Sequence, residues 1–155
     1  MKKNNKKVLL TPEGLKELKK QYEQMVNVKR SGVVERVSRA RDFGDLTENA
    51  EYSAAREELD LVDGQIADLK ATLNQVQVVT TNNKTDFVTI GATVVVEADG
   101  VIDEFTIVGS LEADPNKGKI SNESAVGKAL LGTKKGDTVK IGSTIKTVYK
   151  VKEIK

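Results

Sequence analysis

An apolar stripe in the first half of the chain restricts the fold more than any other feature. Over residues 52–73, apolar side chains recur at alternating spacings of three and four residues. This spacing puts them on one face of an α-helix and is typical of a coiled-coil seam. The members of the seam are Tyr52, Ala55, Leu59, Val62, Ile66, Leu69 and Leu73.

The segment before the seam predicts a partner helix. Thr11 supplies a hydroxyl cap, and Pro12 stands at the first helical position. The apolar spacing then slips by one position, a change that alters supercoiling locally without ending a helix. Apolar residues stand at Leu15, Leu18, Tyr22 and Met25, are missing at Lys29 and Gly32, and resume at Val33, Val37 and Ala40.

Only residues 42–46 separate the two helical patterns, which leaves room for a tight turn. Two long helices joined so tightly must run antiparallel. With roughly 30 residues in each helix, the rise of 1.5 Å per residue gives a rod on the order of 45 Å long.

Beyond residue 75 the apolar period changes to two, which is typical of strands. Strands are predicted over residues 88–96, 104–108, 138–141 and 144–152, and a short helix over residues 124–131. The sequence therefore predicts an α+β fold with an N-terminal antiparallel coiled-coil hairpin over residues 1–80 and a small antiparallel β-sheet domain over residues 81–155. Residues 1–8 are expected to form a disordered tail.

Composition excludes several kinds of chemistry. The 155 residues contain no Cys and no His, so disulfides, thiolate zinc sites and imidazole bases are excluded. The apolar runs are too short for a membrane span or a signal peptide, and we expect a cytoplasmic protein.

Charge is sorted along the chain. Residues 2–41 hold twelve Lys or Arg against four acids, whereas residues 42–68 hold nine acids against one Arg. One interpretation is that a basic helix pairs with an acidic helix across the hairpin, at little gain in stability. The sign changes at the turn itself, however, where Arg36, Arg39 and Arg41 precede four acids within ten residues.

The turn also has a purely structural interpretation. Asp45 and Glu48 have the spacing of a capping box, in which an acid caps the helix and a glutamate three residues later completes the box. A cap keeps spare acceptor oxygens, so a capping role and a binding role are compatible. Phe43 and Leu46 are apolar residues at a turn, and they either fold back onto the seam or contact a partner.

Three segments resemble a known family. The run GDLTENAEY over residues 44–52, followed by Ala54, Ala55, Arg56 and Glu57, closely resembles the coiled-coil tip of the bacterial Gre elongation factors. Residues 120–124, 127–132 and 136–137 are similar to the signature of their C-terminal domain, and residues 10–15 to their start. The resemblance covers nearly the whole chain and is closer to the GreA branch than to GreB, although Ala125 stands where family members often have proline.

The resemblance implies a function that the residues alone do not. In the family, an FKBP-like C-terminal domain docks at the rim of the secondary channel of bacterial RNA polymerase, and the hairpin enters the channel. Two tip acids, which fall on Asp45 and Glu48 here, help hold a second Mg²⁺ at the polymerase active site, where backtracked RNA is cleaved near its 3′ end. The chain is then not an enzyme by itself, binds no metal alone, and is expected to be a monomer.

This chemistry agrees with the composition. Mg²⁺ prefers oxygen ligands and usually keeps several waters beside one or two carboxylates. A second metal ion can position and acidify an attacking water without a histidine base. From charge position alone, Arg36, Arg39 and Arg41 are candidates for contacts with RNA phosphates.

Three alternatives remain open from the sequence. A Gre-like inhibitor could occupy the polymerase channel without stimulating cleavage, but it would differ at the tip acids. A prolyl isomerase would need an apolar, aromatic pocket, and the second half has only Phe87, Phe105 and Tyr149. A plain coiled-coil adaptor would leave the tip motif unexplained.

Overall fold

The chain folds into two compact units, which confirms the predicted α+β class. The computed structural model describes residues 7–44, 49–80, 85–142 and 146–155. The helical unit is Lys16–Gln75, and the sheet unit combines the described residues up to Leu15 with Val76–Lys155. The first strand and the start of the first helix thus group with the sheet unit, whereas the sequence prediction assigned everything up to residue 80 to the hairpin.

Two helical stretches form the hairpin. The first consists of α1, a π-helical segment and α2, and the second is α3. Ion pairs whose residue numbers rise on one stretch and fall on the other, such as Arg30 with Asp63 and Arg36 with Glu51, show that the stretches are antiparallel. No helix in the described ranges is both long enough and apolar enough to span a membrane. The bounds are Pro12–Gln24 for α1, Met25–Arg30 for the π-helical segment, Ser31–Asp42 for α2 and Ala50–Gln75 for α3.

The seam predicted from the sequence is the packed face of α3. Ala55 and Val62 are fully buried, and the other five members are half-buried. On the opposing stretch, Leu18, Val33 and Ala40 are buried. The charged residues between them stay at the surface, as expected for two amphipathic helices.

The slip in the apolar pattern coincides with the π-helical segment Met25–Arg30. A π-helix has a wider turn than an α-helix and absorbs one extra residue without breaking the hydrogen-bond ladder. The helix therefore continues through the slip, as predicted, and Val33 returns to the buried face one position late.

The sheet unit contains a five-stranded sheet in the order β5-β4-β3-β7-β6. All neighbours are antiparallel except β4 and β5, which are parallel. The sheet is therefore mixed, where the sequence predicted an antiparallel one, because two 3₁₀ turns carry the chain back before β5. The bounds are Thr93–Ala98 for β3, Val101–Val108 for β4, Lys119–Ser121 for β5, Thr138–Ile141 for β6, Thr147–Ile154 for β7 and Ala125–Leu130 for the short helix α4; the 3₁₀ turns are Ser110–Glu112 and Pro115–Lys117.

A small aliphatic core lies on one face of this sheet. The strand predicted over residues 88–96 begins only at Thr93, because the chain turns at Gly91, whose φ is +92°. Val88 remains in the core and donates its backbone N–H to Thr133 O at 2.8 Å. The buried core residues are Val88, Ala92, Val94, Val96, Ile107, Leu130 and Val151.

Two short strands were not predicted from the sequence. β1 (Val8–Leu10) pairs in parallel with β2 (Val76–Val78) and forms a separate two-stranded sheet. Of the predicted disordered tail, residues 1–6 lie outside the described residues, and Val8 is the first residue of β1. β1 also packs against the Ser110–Glu112 turn: a Cβ on Gly109 would lie 1.8 Å from Leu9 O.

Candidate functional site at the hairpin turn

The first helical stretch ends at the candidate site. Asp42 is the last residue of α2, and Phe43 closes the helix by donating its N–H to Ala40 O at 3.4 Å. Gly44 follows with φ of +110°, in the region that favours glycine. Phe43 is 86% exposed, so its ring does not fold back onto the seam. Contact of Phe43 with a partner stays a prediction.

The second stretch begins with its own cap. Asn49 precedes α3, and its side-chain oxygen accepts the backbone N–H of Tyr52 at 3.1 Å. The amide nitrogen of Asn49 donates to Ala40 O at 2.8 Å, which ties the start of α3 to the end of α2. Asn49 therefore caps α3 and closes the hairpin.

This cap bears on the structural interpretation of the turn. Asp45 and Glu48, the predicted metal-binding and catalytic acids, lie outside the described residues, as do Leu46 and Thr47. α3 begins at Ala50 and is capped by Asn49, so the described start of the helix already has an N-terminal cap. Asn49 was not among the predicted site residues, although asparagine is one of the preferred residues at the N-cap position of a helix.

The three candidate RNA-binding arginines differ in their surroundings. Arg36 donates to Glu51 at 3.1 Å and also pairs with Glu58. Its hydrogen bond to Glu51, followed by attraction from Glu58, raises the pKa of Arg36. Arg39 and Arg41 are exposed, and the described part of the chain provides no ion pair for either. The predicted pairing of a basic and an acidic helix thus accounts for Arg36 and leaves Arg39 and Arg41 at the surface.

The described residues do not bring together a set of side chains that could hold a metal ion. Across the described ranges, no three Asp, Glu, His or Cys side chains are grouped so that they could hold an ion. A complete metal site formed by described residues alone is therefore absent.

Comparison with known families identifies both halves of the chain. Residues 8–78 match the family described as transcription elongation factor, N-terminal, and residues 82–155 match the C-terminal GreA/GreB family. The chain belongs to the GreA/GreB family of transcription elongation factors. The resemblance stated from the turn motif is thereby confirmed.

Two GreA sequences agree with this assignment. Transcription elongation factor GreA of Thermoanaerobacter pseudethanolicus is 48% identical over 140 residues, which cover 88% of this chain and 89% of the relative. GreA of Acetivibrio thermocellus is 46% identical over 141 residues, 88% of each chain. Among solved structures, GreA factor homolog 1 of Thermus thermophilus has 23% identity and a TM-score of 0.45, covering 97% of this chain and 99% of its own.

Proposed function

We propose that this elongation factor acts on bacterial RNA polymerase and stimulates the polymerase's own cleavage of backtracked RNA. Family membership supports transcription elongation as the process, and the turn supports the mode of action. The observation that carries the proposal is the cap of α3. Asn49 supplies that cap, so the start of α3 at Ala50 already has a capping residue, and we assign the two acids of the turn another role.

In this proposal, Asp45 and Glu48 reach the polymerase active site through the secondary channel. Both lie between the end of α2 at Asp42 and the start of α3 at Ala50, at the turn of the hairpin. Their carboxylates suit Mg²⁺, which prefers hard oxygen ligands. Two carboxylates make an incomplete site, so the remaining ligands would come from the polymerase and the RNA. When bound, a second Mg²⁺ would acidify and position water for hydrolysis.

The remaining parts of the chain have supporting roles in the same proposal. The sheet unit docks at the rim of the channel, and the RNA 3′ end lies near the turn. Arg39 and Arg41 are the first candidates for contacts with RNA phosphates, because Arg36 already forms ion pairs with Glu51 and Glu58. The chain contributes groups to another enzyme's site and has no nuclease activity of its own.

A cleavage assay on stalled elongation complexes tests the proposal. Adding the chain should shorten the backtracked RNA and release fragments from its 3′ end. The matched control is the variant carrying both Asp45→Asn and Glu48→Gln, which should compete for the same polymerase site without stimulating cleavage. If the parent chain binds and slows the polymerase but releases no fragment, the protein is a channel-binding inhibitor instead.

A further inference from the structure

The start of α1 is held by a carboxylate from a distant part of the chain. Glu112 lies 101 residues from Thr11, in the 3₁₀ turn that follows β4. Its Oε2 accepts the backbone N–H of Thr11 at 2.8 Å, and its Oε1 accepts the Thr11 hydroxyl. The Thr11 hydroxyl in turn accepts the N–H of Gly14 at 3.1 Å. Both oxygens of one carboxylate are thus used on a single capping residue.

This arrangement resembles a capping box in which the glutamate comes from a distant part of the chain. In a capping box, the third helical residue is a glutamate whose side chain bonds the N–H of the cap. Here the third helical residue is Gly14, which has no side chain, and Glu112 makes that bond. A Cβ on Gly14 would lie 2.1 Å from the carboxyl carbon of Glu112, so the carboxylate occupies the space of the missing side chain.

The surroundings show that this contact is built into the sheet unit. Thr11 is only 7% exposed, and the adjoining Leu10 is among the largest fully buried side chains. β1 approaches the turn so closely that Gly109 has no room for a Cβ beside Leu9 O. The carboxylate also lies at the positive end of the α1 dipole, where a negative charge is favoured.

We propose that Glu112 is a positioning residue that fastens the first turn of α1 to the sheet unit. α1 begins in the sheet unit and continues without interruption into the helical unit, so this turn is one of the two connections between them. The functional part of the inference rests on the proposed cleavage role. If the sheet unit docks while the hairpin turn acts elsewhere, fraying of the first turn adds flexible residues to the chain between the two units and lowers the effective concentration of the acids at their target.

Two glycine variants make a matched pair for the test. Gly14→Ala improves intrinsic helix propensity but forces the Glu112 carboxylate, the mobile end of a side chain, out of its place. Gly32→Ala makes the same change in α2, where a Cβ would meet nothing within 4 Å. Thr11→Ser keeps the N–H and the hydroxyl, whereas Thr11→Val loses the hydroxyl. Glu112→Ala removes the carboxylate directly.

The first measurement is amide hydrogen exchange on the full chain and needs no polymerase. Exchange at the first turn of α1 should rise about tenfold or more in Gly14→Ala, Thr11→Val and Glu112→Ala, as expected for local fraying. Exchange in α3 should not change, and Gly32→Ala and Thr11→Ser should match the parent. In a background that already carries Glu112→Ala, adding Gly14→Ala should raise exchange no further. Parent-like exchange in Glu112→Ala would overturn the inference.

The second measurement compares affinity for polymerase with the cleavage rate at saturation. On stalled complexes, Glu112→Ala should keep the parent's affinity for polymerase in competition binding, while its cleavage rate at saturation falls about tenfold. Thr11→Ser should retain the parent rate. Loss of affinity with an unchanged saturated rate would contradict a positioning role. If the parent itself stimulates no cleavage, the proposed function fails, but the exchange measurement still decides whether the anchor exists.

Discussion

The starts of α1 and α3 are both capped by a polar side chain, but the two caps are held by residues from different parts of the fold. Both helices begin beside a polar cap that accepts a backbone N–H three residues on. At α1 the cap is buried and is completed by Glu112 from a distant turn. At α3 the cap is Asn49, whose partners Tyr52 and Ala40 belong to the hairpin itself. The first helix start is thus held by a residue from a distant turn, whereas the second is capped by a residue whose partners lie within the hairpin.

The largest effect on stability is expected beside the start of α1. Gly109→Ala places a Cβ 1.8 Å from Leu9 O, and backbone atoms on both sides must move to accept it. Overpacking of this kind costs about 2–3 kcal/mol of unfolding free energy. Urea unfolding measures the loss, with Gly32→Ala as the open-space control. A parent-like midpoint for Gly109→Ala would show that β1 is not held against this turn.

A smaller effect is expected at the start of α3. Asn49→Ala removes both the acceptor for Tyr52 N–H and the donor to Ala40 O. Loss of an N-terminal cap costs roughly 1 kcal/mol. Asn49→Asp keeps the acceptor but loses the donor, so its melting temperature should lie between those of the parent and the alanine variant. Equal melting temperatures for all three proteins would mean that another residue caps α3.

Substitutions of the α2 arginines should differ in whether they lower the melting temperature or the cleavage of RNA. Arg36→Ala breaks an exposed pair with Glu51 and Glu58, so the melting temperature should fall slightly, and less at high salt. Arg39→Glu combined with Arg41→Glu should leave the melting temperature nearly unchanged but weaken cleavage of long backtracked RNA. Unchanged cleavage at several ionic strengths would remove these two residues from the proposed RNA contacts.

The smallest effect on stability is expected at Phe43. Because its side chain is 86% exposed, Phe43→Ser should change the free energy of unfolding by no more than roughly 0.5 kcal/mol. Thermal melting of the variant and the parent measures the difference. A large destabilisation would show that the ring packs against the hairpin in solution.

Local patterns explain why much of the fold could be predicted. The seam of α3, the cap at Thr11 and the slip before Val33 all depend on residues close together in sequence. The slip was predicted as a continuing helix, although the π-helical geometry itself was not. The apolar pattern predicts a strand through Gly91, because the local sequence does not contain the tertiary packing on which its positive φ depends.

Long-range contacts explain what the sequence did not predict. β1 and β2 are three residues each and form only because distant segments pair, which no local period reveals. Glu112 resembles an ordinary surface acid until Thr11 is placed beside it. At the hairpin turn, the spacing of Asp45 and Glu48 suggested a cap, and only the position of Asn49 shows that α3 has another one. The roles of Asp45 and Glu48 themselves stay predictions.

The most direct measurement is transcript cleavage by Asp45→Asn and Glu48→Gln over a range of Mg²⁺ concentrations. Each substitution removes one anionic oxygen ligand while keeping the size of the side chain. Because Asn49 caps α3, melting temperature and competition binding to polymerase should match the parent. Cleavage should fall by orders of magnitude in both variants, and raised Mg²⁺ should restore part of it. Parent-like cleavage in both variants would contradict a metal-binding role for the turn and leave occupancy of the channel as the function.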